Sequence, residues 1–244
     1  MPSPPRRAVI AARSLTYWLR DTRYGTSLVI IPIIPIFMVI SLYIAGIPLN
    51  VLALVPLPII CLFLSWFVHN DVSFDNTALW LHLSTSTSGI SDRLGRDIPP
   101  FLLGVLLVGL GGVGTAWVIG DWSILPAIIG LSSCVLLASL GVASVTSAAL
   151  PYPTVLPGGN PFAQPQGAGG ASAAVQAFSL LLPLALASPV VWLIFFGGEE
   201  WGQASTVLWA GLGIGVVSLA IGVFWGGKLV DRHAPELLEF TLQN

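Results

Sequence analysis

Three histidines and two cysteines are the side chains of this chain best suited to metal or nucleophilic chemistry, and their spacing serves neither. His69, His82 and His233 stand far apart, with no HExxH or paired-carboxylate pattern beside them. Asp75 and His82 share a helical face, but seven residues separate them by about 10 Å along a helix axis, too far to hold one ion together. Cys61 and Cys134 lie inside apolar runs, where a free thiol acts as a small hydrophobe. Two nucleotide-binding patterns occur by letter. Gly109, Gly111 and Gly114 spell GxGxxG, and Gly222, Gly227 and Lys228 imitate a phosphate loop. The first pattern needs a strand before it, and the second needs Ser or Thr where Leu229 stands; both fall in apolar tracts instead. No catalytic, cofactor-binding or metal-ligating residue is therefore assigned. The chain is not read as an enzyme, and it has no ATP site of its own.

Composition dictates the elements that would position any other site. Of 244 residues, 55% are hydrophobic and 8% charged, against about 25% charged in an average soluble chain. A chain this poor in charge cannot cover its own surface in water, so lipid is its solvent. A net charge of −2 also excludes a nucleic-acid binder, which needs a basic stripe to displace counterions from phosphates. Residues 24–70 contain no Asp, Glu, Lys or Arg, and residues 98–227 contain only Asp121, Glu199 and Glu200.

A span needs about 20 apolar residues. Dividing the two tracts at their polar, Gly and Pro signals gives six expected spans, at 27–45, 49–68, 99–119, 123–149, 174–196 and 205–227. Backbone groups in lipid must pair internally, so these are helices, and the fold class is an all-α polytopic membrane protein. All nine basic residues fall on one side of this topology, which the concentration of Lys and Arg in cytoplasmic loops makes the cytoplasm. Both termini are then cytoplasmic in a multi-pass protein. Three regions follow: a cytoplasmic N-terminal segment (1–26), a six-helix membrane domain (27–227) with a cytoplasmic segment at 69–98, and a cytoplasmic tail (228–244). Arg13 interrupts the first apolar stretch too early for a cleavable signal core, so the N-terminal segment is expected to be retained.

Within that frame, several residues acquire a task. Arg6, Arg13 and Arg20 recur at heptad spacing opposite Ala8, Ala11, Leu15, Trp18 and Leu19, the pattern of an amphipathic helix lying on the inner leaflet. Arg13, Trp18 and Arg20, with Arg93 and Arg96 before the third span, are expected as membrane-interface anchors. Gly211, Gly215, Ser218, Gly222 and Gly226 keep to one face of the sixth span, a stripe suited to close helix packing. Prolines at 32, 35, 56, 58, 183 and 189 interrupt three spans. Intramembrane charge, the usual mark of an ion pathway, is missing from every expected span.

Residues 74–96 read FDNTALWLHLSTSTSGISDRLGR, a short amphipathic stretch, a Ser/Thr turn and a Gly95-Arg96 pair. This arrangement resembles the segment after the second span of type-2 ATP-binding cassette (ABC) export permeases. The opening RSLTYWLRDTRYGTSLVIIPIIP (13–35) and LPGGNPFAQPQGAGGAS (156–172) are similar to the actinobacterial group of such subunits. Trp80 stands where the wider family has an acidic residue, and Ser86 where it has Pro.

The resemblance implies the membrane subunit of an exporter in a bacterial plasma membrane. A second permease subunit, as homo- or heterodimer, would complete the pathway, and separate ATPase subunits would carry the ATP and magnesium. Phe74, Asp75, Leu79, Trp80, His82 and Leu83 would form the cytoplasmic coupling helix that receives the ATPase motion, with Asp75 and His82 on its polar rim. A Phe-, Trp- and Leu-rich interior suits a hydrophobic or amphipathic cargo. Two other classes remain open: a channel or ion-coupled transporter without ATPases, and a membrane-complex subunit that transports nothing.

Overall fold

The computed structural model describes residues 6–75, 79–80, 87–156, 158–160, 163, 169–197 and 204–243. Among them the chain is all-α: α1 (Arg6–Arg20), α2 (Thr22–Ile44), α3 (Leu49–Leu52), α4 (Pro56–Trp66), α5 (Asp71–Asp75), α6 (Gly89–Ile119), α7 (Leu125–Ala149), α8 (Gly170–Phe196), α9 (Ala204–Arg232) and α10 (Ala234–Gln243). Six segments are long and apolar enough to cross a membrane: α2, the α3–α4 pair, α6, α7 with the 3-10 turn before it, α8 and α9. The chain is an all-α polytopic membrane protein.

Three spans differ from the sequence expectation. The second breaks into α3 and α4 at residues 53–55, and Pro56 opens α4, where its missing N–H and fixed φ cost nothing. Pro32, Pro35, Pro183 and Pro189 instead lie within continuous helices. The third starts ten residues earlier than expected, at Gly89 rather than at 99. The Ser88 side chain accepts from the Ser91 N–H as N-cap, Asp92 stands in the first turn, and the helix runs on through Pro99 and Pro100. The sixth continues past Gly226 and Gly227 to Arg232.

The most buried span is α7, which packs against α4, α6, α8 and α9. Its pairing with α9 is set by small residues on both helices. A β-carbon on Gly211 would strike the Gly130 carbonyl, one on Gly222 the Gly141 carbonyl, and one on Gly226 the Ser144 carbonyl. The matched pairs run in the same chain direction with a nearly constant offset, so α7 and α9 are parallel and in register over about four turns. Gly215 faces Cys134 and Leu137 in the same seam, and the Ser218 carbonyl fills the space beside Gly141. The Gly211–Gly226 stripe thus packs within the chain.

The end of the bundle that holds α1, α5 and α10 also holds the buried charges and is called here the charged end. At the far end α6 stops at Gly120, whose φ of 78° needs no β-carbon, and Asp121 caps the next turn by accepting from the Ser123 N–H at 2.9 Å.

Candidate functional site: a buried charge cluster, an exposed tryptophan and an apolar cavity

The early start of α6 brings Asp92, Arg93, Arg96 and Asp97 onto a spanning helix, one turn or less apart, and α5 lays Asp71 and Asp75 against them. These residues belong to the same continuous helix as the third span and not to a separate loop before it. The sequence division stopped at Pro99-Pro100, so these residues looked like a loop.

All six side chains are buried. Arg93 is only 1% exposed; it donates to Asp92 at 2.5 and 3.0 Å and to Asp71 at 3.2 Å. Arg96 donates to Asp92 at 2.9 Å, to the Asp71 carbonyl at 3.3 Å and to Asp75. Arg13 of α1 closes the cluster with a 2.7 Å ion pair to Asp75. On α7, Ser147 donates to Asp71 while accepting from the Val72 N–H at 3.1 Å, and Ser144 donates to Asp97 at 2.8 Å. Buried charge is tolerated only when it is paired and hydrogen-bonded, and here the pairs tie α1, α5, α6 and α7 together.

Arg93 and Arg96 are therefore ion-paired inside the protein and are not exposed lipid anchors; their spacing places them on the α6 face that meets Asp71 and Asp75. Asp75 is likewise inside the cluster and not on a polar rim. Trp18 is also turned inward, 5.3 Å from Tyr24 and 6.2 Å from Phe67, and its buried Nε1 has no partner among the described residues. On α1, Ile10, Ala11 and Trp18 are buried while Leu15 and Leu19 are exposed, so the helix lays an inner face on α6. Its crossing point is Gly95, where a β-carbon would come within 2.6 Å of Ile10. Arg20 alone of the five expected anchors is an exposed cation.

In the expected coupling stretch, Phe74 packs 5.5 Å from both Tyr24 and Phe67, with the Arg23 guanidinium 5.0 Å over its ring. Leu79 is buried with Val72, Ala148, Val230 and Leu237, so it is an internal anchor rather than a docking residue. Trp80, its neighbour, is 53% exposed. His82 and Leu83 lie outside the described residues, as does most of the stretch between Asp75 and Thr87.

Two further anchors at this end escaped sequence reasoning. Arg23 chelates Asp21 and donates to the carbonyls of Phe74 and Val155, each at 3.0 Å. The Asp21 carboxyl, raised by partial burial, is pulled further the other way by the Arg23 hydrogen bonds and charge, and ends below its ordinary range. His69, stacked on Trp66 at 4.7 Å, donates from Nδ1 to the Trp66 carbonyl, which leaves Nε2 to accept from the Tyr152 hydroxyl at 2.7 Å. Asn70 pairs with the backbone of Tyr152 in both directions. Burial pushes His69 down to about 4, against smaller raising effects of Trp66 and Asp71, and burial raises Tyr152 to about 12 despite its hydrogen bond with Asn70.

The half of the bundle away from the charges holds an apolar cavity of about 350 Å³ between α2, α3–α4, α7 and α8. Pro58, Leu131, Ala187 and Phe195 are among its lining residues, and none of the lining side chains is polar.

Neither a protein-family model, nor a curated protein, nor a solved structure matches this chain.

Proposed function

We propose that the chain is the membrane permease subunit of an ABC exporter in a bacterial plasma membrane, with both termini in the cytoplasm, working with a second permease subunit and with cytoplasmic ATPase subunits. The orientation is supported by the basic residues, all of which gather at the charged end or beside it. The observation that carries the reading is the contrast at residues 75–80. Asp75 and Leu79 are locked into the bundle, by Arg13 and Arg96 and by Val230 and Leu237, while Trp80 between aqueous solvent and that core is half exposed. A half-exposed Trp on a firmly anchored segment is suited to be gripped by a partner. A push there would reach α1, α6 and α7 through paired charges rather than through a loose loop. The apolar cavity supports a hydrophobic or amphipathic cargo.

Copurification tests this. The chain expressed in its own host should bring down an ATPase subunit in a nucleotide-sensitive manner, and Trp80→Ala should release that subunit without lowering membrane insertion. A chain that purifies without any ATPase and transports nonetheless would reverse the assignment.

A second reading, an ion-coupled transporter, draws on one observation: the buried Asp97 carboxyl, which has a hydroxyl and no guanidinium as its partner.

A further inference from the structure

Four carboxyls, Asp71, Asp75, Asp92 and Asp97, face three guanidiniums, Arg13, Arg93 and Arg96, at the charged end. One negative charge is left over, and geometry decides where it would fall. Each of Asp71, Asp75 and Asp92 lies in an ion pair. Asp97 has none among the described residues; it is 8% exposed and accepts one hydrogen bond, from Ser144. Arg93 stands one turn earlier on the same helix, but it turns its guanidinium to Asp71 and Asp92, and Arg96 turns to Asp75 and Asp92.

Among the described residues, α7 and α9 present no cation to replace them, and Arg13 of α1, which also packs on α6, is committed to Asp75. Along α7 the residues near Asp97 are Ser144 and Ser147, which are uncharged. Where α9 meets the start of α6, it presents Gly227 to Gly89 and Asp231, which accepts from the Gly89 N–H at 2.7 Å; Lys228 lies over the rings of Phe224 and Trp225. An isolated buried carboxylate costs several kcal/mol and takes up a proton instead.

We propose that Asp97 is a proton-binding site: its carboxyl holds a proton at neutral pH, and release of that proton to water at the charged end loosens the seam of α6 and α7 at Ser144. That seam also includes Gly226 of α9, which packs on the Ser144 backbone carbonyl, so three spans meet at Ser144, whose hydroxyl Asp97 engages. A charge appearing at Asp97 would favour hydration and separation there. The inference concerns the protonation of one side chain and holds whether an ATPase or an ion gradient drives the protein.

The test uses the full chain in detergent or lipid. In infrared spectra at neutral pH, the wild type should show a protonated-carboxyl band that Asp97→Asn removes. A spectrum without that band would overturn the proposal even if the variant failed to fold. Melting temperature gives the second readout. An unfolded aspartate titrates near 3.9, so a carboxyl that keeps its proton in the folded state makes stability fall as pH rises from there towards neutrality: between about pH 4 and pH 7 the wild type should lose melting temperature relative to Asp97→Asn. An Asn variant that is destabilised equally at every pH would mean that Asp97 is ionised and needed as a counter-charge, and would also overturn the proposal.

Discussion

Gly222 of α9 lies against Gly141 of α7 so closely that the Gly141 carbonyl occupies the space a β-carbon on Gly222 would need. No side-chain rearrangement can relieve a clash with backbone. Gly222→Leu should therefore cost more than the roughly 1–3 kcal/mol of ordinary overpacking. Gly213, on the same helix with open space around it, should accept Leu without loss. Thermal unfolding of the two variants in detergent checks this; equal tolerance would mean that α7 and α9 are not in this register.

Arg93 holds two carboxylates at 1% exposure. Arg93→Ala leaves Asp71 and Asp92 short of a partner in a buried place, which typically costs about 3–5 kcal/mol. Arg93→Lys, a point charge without the planar fork, should recover only part of this. A denaturation series comparing the three proteins should rank them wild type, Lys, Ala.

The six spans were legible in the sequence because a tract such as residues 24–70, without one charge, has no aqueous solution to its burial problem. The charge cluster was not. Asp92, Arg93, Arg96 and Asp97 precede Pro99-Pro100, and a proline pair reads as a helix start, so the run looked like a solvated loop. The i, i+4 spacing of Asp92 and Arg96 was the available signal, together with Ser88 as a cap. The partners Asp71 and Asp75 lie some twenty residues away in sequence, a proximity that only tertiary structure supplies. The glycine stripe of α9 was legible from spacing alone, whereas its partners Gly130 and Gly141 sit in a helix so uniformly apolar that no face stands out.

His69 is neutral in the folded chain, with its value pushed down to about 4 by burial. Unfolded histidine titrates near 6.5, so the folded state binds fewer protons between these values. Stability should be complete above about pH 6.5 and fall as pH drops towards 4, by about 3 kcal/mol in all. His69→Gln should flatten this slope, and Tyr152→Phe should cost about 1 kcal/mol at neutral pH through the lost hydrogen bond. Melting temperatures of the three proteins across the pH range measure both effects.

Ala187 lines the apolar cavity. Under the exporter reading, Ala187→Phe should fill that space and lower transport of a hydrophobic cargo several-fold, while stability stays the same or rises. Uptake into inverted vesicles, measured beside the melting temperature, separates a blocked site from a misfolded protein.

Under the exporter reading, residues 74–88 couple the permease to its ATPase partner. Leu79 is unsuited to test it, because truncating a residue buried against Val230 and Leu237 would disturb the chain itself. Trp80→Ala combined with Leu83→Ala is the direct probe. The measurement is substrate-stimulated ATP hydrolysis by proteoliposomes carrying the permease and its ATPase partner. The predicted result is loss of stimulation with the basal ATPase rate and the melting temperature of the permease unchanged. Undiminished stimulation in the double variant would contradict coupling at this segment and the exporter function built on it.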